Sequence, residues 1–146
     1  MTGSQKLHWL PKQTRSFVNA LPASGGTDST EAFSWAYDNV SDMKEVNQHK
    51  AKNGQEPQRY IVFMTDGDNN YSSADSSTRI LCDQAKGAGV QVYTVAFAAP
   101  KRGKELLSYC ASSSAHFFDA QSSADLIAAF KSIGEQASQV ASRLTQ

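Results

Sequence analysis

The stretch RYIVFMTDGDNN, Arg59 to Asn70, limits the fold of this chain more than any other. Tyr60 to Met64 form a short, wholly apolar run rich in aromatic and β-branched residues, which reads as a strand. The run does not alternate, so both of its faces are expected to be covered, as in a parallel sheet with helices on each side. It then meets Asp66, a glycine and a polar cluster. A carboxylate at the end of a buried strand calls for a functional or structural reason.

The rest of the chain supplies the partners such a sheet needs. VQVYTVAF is a second strand and HFFDA a short third one. Around them the pattern predicts helices. One runs from Pro11 to about Leu21, with Phe17, Val18 and Leu21 on one side. A second is capped by Thr27 or Asp28 and carries Phe33, Ala36, Tyr37, Val40 and Met43. A third covers about Thr78 to Ala88 and ends at GAG, with glycine suited to the C-cap. A fourth covers Lys104 to Ser112. The last follows the capping pattern of Ser122 and Asp125 and carries Leu126, Phe130, Ile133, Ala137, Val140 and Leu144. Asn47 to Gln58 is polar and reads as a solvated loop. Alternating strands and helices imply a three-layer α/β/α, Rossmann-like architecture with a parallel sheet. In such sheets ligands gather at the carboxyl ends of the strands, where Asp66 stands.

The chain's 146 residues suit a single domain, taken as 1–146. Lys+Arg and Asp+Glu both number 14, so the net charge is zero. That argues against a nucleic-acid or anionic-membrane binder working through bulk charge, and it offers little repulsion against self-association. No apolar run approaches the roughly 18 residues of a membrane span, and MTGSQKLHWLPKQTR lacks a signal-peptide core, so the chain by itself is expected in the cytoplasm. His8, His49 and His116 share no metal-site spacing. His49 is expected in solvent and His116 at the start of a strand. Trp9 and Trp35 read as core or rim aromatics.

Two segments carry candidate chemistry: Thr27 in the glycine-rich turn SGGTDS, and Asp66 in FMTDGDNN. A hydroxyl and a carboxylate at strand ends are hard oxygen donors suited to Mg²⁺, Mn²⁺ or Ca²⁺. The plainer reading is that Thr27 caps a helix and Asp66 a turn. Asp66-Gly67-Asp68 also matches the opening of a Mg²⁺-dependent phosphohydrolase, one carboxylate as nucleophile and the other as acid or base. Asn70 departs from that pattern, and no downstream lysine with an acidic pair completes it.

The ordered set GGTDST, YIVFMTDGDNN, GVQVYTVAF, LLSYCASSSAHFFDA and LIAAFKSIG resembles the von Willebrand factor A domain over Ser24 to about Arg143. The final AFKSIGEQASQVASRLTQ, with the two cysteines, is similar to the TadG-like subgroup of tight-adherence (Tad) pilus assembly proteins. The resemblance implies a non-catalytic binding or scaffolding module of the cell envelope with a protein partner, a pilus assembly or adhesion component. It also implies a metal-ion-dependent adhesion site that uses Thr27 and Asp66. Relatives of this kind are anchored by an N-terminal helix and hold the domain in the periplasm, a segment this sequence does not contain.

That site also uses a D-x-S-x-S loop, which is absent. The nearest match, Asp75-Ser76-Ser77-Thr78-Arg79, has arginine in the last place and lies after the aspartate turn. The chain therefore resembles the C-terminal part of an A domain, with a degenerate metal site or, alternatively, a metal-independent structural remnant. Cys82 and Cys110 could be two buried thiols; the periplasmic setting implied by the resemblance favours a disulfide. In the family's sheet the first strand lies beside YIVFM. Without it, Ile61 to Met64 are expected to form an unguarded edge, open to a folded-back KLHWL segment, to another chain or to a homodimer.

Overall fold

The computed structural model describes residues 15–16, 19–20 and 26–143, with side chains to 139. The helix expected from Pro11 to Leu21 lies largely outside these residues, as do His8, Trp9 and the KLHWL segment. The described elements are α1 (Ser29–Val40), α2 (Met43–Asn53), β1 (Tyr60–Thr65), α3 (Ser72–Gly87), β2 (Gln91–Phe97), α4 (Lys101–Cys110), a 3₁₀ turn (Ser114–His116), β3 (Phe117–Ala120) and α5 (Ser123–Arg143).

The three strands form one parallel sheet in the order β1-β2-β3. Helices cover both faces, giving the three α/β/α layers expected. On one face, Ile61 and Val92 meet Phe33 of α1, Cys82 and Ala85 of α3, and Leu106 and Cys110 of α4. On the other, Tyr93 and Val95 meet Ala129 and Ile133 of α5. Strand β2 is central and buried from Val92 to Ala96.

Strand β1 is an edge strand among the described residues, in line with the expected unguarded edge, but its burial alternates where cover on both faces was expected. Ile61 packs into the core, but Val62 and Met64 on the α5 face are 43% and 49% exposed. The reason is position: α5 lies over β2 and β3, and among the described residues only Tyr60 of that face of β1 packs against the α5-side cluster. An apolar run foretells burial only when both neighbours are present.

Five boundaries also differ. The polar stretch expected as a loop is largely helix α2, bracketed by Asp42, which accepts the Lys44 N–H, and Gly54 at φ 71°. Only Val46 of α2 is buried, so no apolar stripe marks it. Met43 opens this second helix rather than ending the first, and is exposed. Helix α3 begins at Ser72, six residues before Thr78, because its buried face opens with Ala74, Asp75 and Thr78, two of them polar. Helix α4 begins at Lys101, and His116 closes a 3₁₀ turn before β3 rather than opening the strand. Of the α5 stripe, Ile133 is buried while Phe130 is half exposed; Trp35 is likewise half exposed. Val140 and Leu144 lie outside the described side chains.

The cap of α5 is reciprocal. The Asp125 carboxylate accepts the Ser122 N–H at 3.0 Å, and the Asp125 N–H donates to the Ser122 hydroxyl at 3.2 Å.

Candidate functional site

The residues around Asp66 have distinct roles at the carboxyl edge of the sheet. The Thr65 hydroxyl accepts the Gly67 N–H at 3.2 Å and so shapes the turn that leaves β1. Gly67 then passes close to Gly103 of α4; a Cβ at Gly103 would lie 2.6 Å from the Gly67 carbonyl oxygen. That approach brings the first turn of α4 to Asp68, whose carboxylate accepts the Gly103 N–H at 2.6 Å. A carboxylate there satisfies a free helix-end donor and complements the helix dipole.

Asn69 is the hub of the site and is buried. Its amide oxygen accepts the Ser29 N–H at 2.8 Å. Its amide nitrogen donates to the Ser29 hydroxyl and to the Asp75 carboxylate, each at 2.8 Å. Ser29 is in turn 2.9 Å from the Thr78 hydroxyl. One side chain thus ties the start of α1 to α3. The Asn69 carbonyl accepts a further bond from the Arg102 guanidinium. Asn70 completes the clamp. Its N–H donates to the Thr27 carbonyl at 2.8 Å, and its side-chain oxygen accepts the Thr27 N–H at 3.1 Å. It stands so near Gly26 that a Cβ there would meet its amide at 1.8 Å. A side chain at the second glycine of SGGTDS would therefore displace the Asn70 amide.

Thr27 and Asp66 consequently sit on two loops clipped together at the same edge, and both residues are exposed. Among the described residues neither side chain has a hydrogen-bond or ion-pair partner. The helix cap expected of Thr27 or Asp28 falls to Asp28, which accepts the Thr30 N–H at 2.9 Å.

Arg102 supplies a cation at this edge. Its Nε lies 3.1 Å from the Asp75 carboxylate and 4.0 Å from that of Asp68. Both neighbouring carboxylates are thereby engaged, Asp68 by α4 and Asp75 by Asn69 and Arg102. Asp68 is thus committed to a helix end rather than held as an acid or base beside Asp66. A divalent cation needs about six oxygen donors. Thr27 and Asp66 offer two uncommitted side chains, and no group of three or more His, Cys, Asp or Glu among the described residues is placed to hold a metal ion. The donor set does not fit a tight divalent cage. The segment Asp75 to Arg79 lies within α3, where Asp75 and Thr78 are spoken for by the hub.

Sequence reasoning singled out Thr27 and Asp66 but not Asn69, Asn70, Arg102 and Gly103, which hold the two loops and α4 together. Asn69 and Asn70 stood in the quoted stretch; nothing local marks Arg102 as their partner 33 residues on.

Cys82 of α3 and Cys110 of α4 are joined by a disulfide, with Cα atoms 5.1 Å apart and both residues fully buried. The two helices lie on the same face of the sheet, which brings the thiols together.

The family model for the von Willebrand factor type A domain matches residues 9–132. Among solved structures, proximal thread matrix protein 1 from the mussel byssus is similar, at 16% identity and a TM-score of 0.52. The match covers 88% of this chain and 28% of that one, so the likeness is one of fold. No curated protein sequence gives a match.

Proposed function

This chain belongs to the von Willebrand factor type A family, and on that premise we propose that it is a non-catalytic protein-binding module that docks its partner at the rim around Thr27 and Asp66 without a resident divalent cation. Domains of this family commonly mediate protein–protein interaction. The observation that carries the metal-free reading is the state of the carboxylates. Asp68 and Asp75 are engaged by the α4 N–H and by Arg102, while Asp66 and Thr27 stand open to a partner. In this reading the Arg102 guanidinium offsets part of the carboxylate charge at the edge where metal ligands would gather.

The setting we propose is the cell envelope, as a scaffolding part of a Tad-type pilus assembly protein. Two features support it. The Cys82–Cys110 disulfide suits an oxidising compartment such as the periplasm. The C-terminal segment and cysteine placement resemble the TadG-like subgroup.

Calorimetric titration with Mg²⁺, Mn²⁺ and Ca²⁺ tests the metal-free reading. Weak, non-saturating heats are expected; a tight isotherm abolished by Asp66→Ala would overturn it. Binding to envelope proteins should weaken in Asp66→Ala and in Thr27→Ala, with folding intact. Turnover of a generic phosphate ester is expected to stay at background, and catalysis lost in Asp66→Ala would revive the hydrolase reading.

A further inference from the structure

We propose that the Asn53–Gly54 linkage is a site of spontaneous deamidation, at which water converts the last residue of α2 into aspartate and isoaspartate. This inference stands apart from the rim reading above and rests on the end of α2.

The reaction consumes water alone. The Gly54 backbone nitrogen, having lost its proton to solvent base, attacks the carbonyl carbon of the Asn53 side chain. A new C–N bond forms, the bond to the side-chain nitrogen breaks, and ammonia leaves with a proton taken from solvent. The product is a cyclic succinimide. Water then adds to either of its carbonyl groups and opens the ring. One opening restores the backbone with aspartate at this position. The other gives isoaspartate, in which the backbone runs through the side chain and is longer by a methylene. Nothing is oxidised or reduced, and each conversion takes up a water and releases an ammonia.

Local structure singles out this asparagine. Glycine puts no side chain in the way of the attack, and Asn53 is the one asparagine of the chain that precedes a glycine. Asn39 gives its amide to the Trp35 carbonyl at 2.7 Å, Asn69 is buried in the hub and Asn70 clamps the Thr27 turn. Asn47 lies within α2 before Gln48, and Asn19 precedes Ala20. Asn53 and Gly54 are both exposed, and the Asn53 carboxamide has no hydrogen-bond partner among the described residues. A Cβ on Gly54 would meet nothing within 4 Å, so the ring has room to close.

The helix sets the pace. The Gly54 N–H donates to the Lys50 carbonyl at 2.8 Å, so its nitrogen reaches Asn53 only when the last turn of α2 opens. Val46 is the one buried residue of α2, and a segment with so few buried contacts opens at low cost. The products then favour the open state. A carboxylate at this end faces the negative pole of the helix dipole, a charge that Lys50 and Lys52 offset in part. Isoaspartate also displaces Gly54 from the Lys50 carbonyl, because its backbone is longer.

Peptide mapping by mass spectrometry of the intact, oxidised chain aged at neutral pH decides it, with isoaspartate identified by enzymatic methylation. The urea-unfolded chain, aged alongside, sets the clock. Conversion is expected at Asn53 ahead of every other asparagine, and the acidic species that accumulates should vanish in Asn53→Gln. Asp42→Ala removes the N-cap of α2 and should speed conversion several-fold without moving the rates at other asparagines. The isoaspartate form, separated by ion exchange, should exchange its α2 amides faster than the parent while those of β2 are unchanged. A folded chain that keeps Asn53 intact while the unfolded one converts it fully overturns the proposal. So does earlier conversion at another asparagine, or a rate at Asn53 indifferent to Asp42→Ala.

Discussion

Gly103 stands so close to Gly67 that a methyl group on it would come within 2.6 Å of the Gly67 carbonyl oxygen. This approach delivers the α4 N–H to Asp68 and Arg102 to Asn69 and Asp75. Gly103→Ala should therefore destabilise despite the better helix propensity of alanine. The clash is with backbone, which cannot swing aside, and a cost of about 1–3 kcal/mol is expected. Gly134 of α5 is the control, since a Cβ there meets nothing within 4 Å. Gly134→Ala should stabilise by up to about 1 kcal/mol. Urea midpoints of the two variants should move in opposite directions.

Asn69 satisfies donors and acceptors on α1 and α3 at once. Asn69→Ala strands the Ser29 N–H and leaves the Asp75 carboxylate with Arg102 alone. A loss of about 2 kcal/mol is expected from the unsatisfied groups. Asn70→Ala removes an exposed clamp on the Thr27 turn and should cost less, below about 1 kcal/mol. Chemical denaturation gives both numbers, and reversal of their order would show that the hub is misassigned.

The disulfide closes a loop of sequence separation 28, for which the chain-entropy relation gives roughly 3–4 kcal/mol. Cys82→Ala with Cys110→Ala should lower the unfolding free energy by that order. Because both residues are fully buried, reductant should act at the rate of unfolding in the native protein and quickly in urea. Rapid reduction of the native protein would contradict this.

Two groups give acid sensitivity in separate windows. Burial holds the His116 imidazole below its ordinary value of 6.5. The ring lies against Tyr93, with centroids 4.4 Å apart. The folded state therefore resists protonation, and stability should begin to fall as the pH drops below about 6.5. The Ser122 hydroxyl and the backbone N–H groups of Gln121 and Ser122 hold Asp125 below 3.8. Its contribution is present above 3.8 and lost as the pH falls below it. His116→Gln should flatten the first window and leave the second, as read from denaturation midpoints against pH.

The sheet and its flanking helices were legible because β1, β2 and the α5 stripe carry hydrophobic period or run length. Helix α2 was not, since only Val46 anchors it and its other faces meet water. The start of α3 was hidden because its buried residues include Asp75 and Thr78, which hydropathy reads as surface. Asp66 could be proposed from strand-end logic and Thr27 from its glycine-rich turn. Asn69 could not, because its partners Ser29, Asp75 and Arg102 meet only after the chain has folded. The exposure of Val62 and Met64 depends on strand order, which composition does not encode.

Arg102 bears the last prediction. It is 43% exposed, so its pairing with the more buried Asp75 is screened on one side, and Arg102→Gln should cost only about 1–2 kcal/mol. The larger consequence is electrostatic. Without the guanidinium, Asp66, Asp68 and Asp75 are left at one edge with no cation paired to them among the described residues. Wild-type thermal stability should be indifferent to millimolar Mg²⁺ or Ca²⁺ against a matched ionic strength of NaCl. The Arg102→Gln variant should be stabilised by the divalent ions, because they can now replace the missing charge. Thermal scans of both proteins in paired buffers read the difference directly. Equal responses, or a wild type that responds more, would show that Arg102 does not hold the place of a cation.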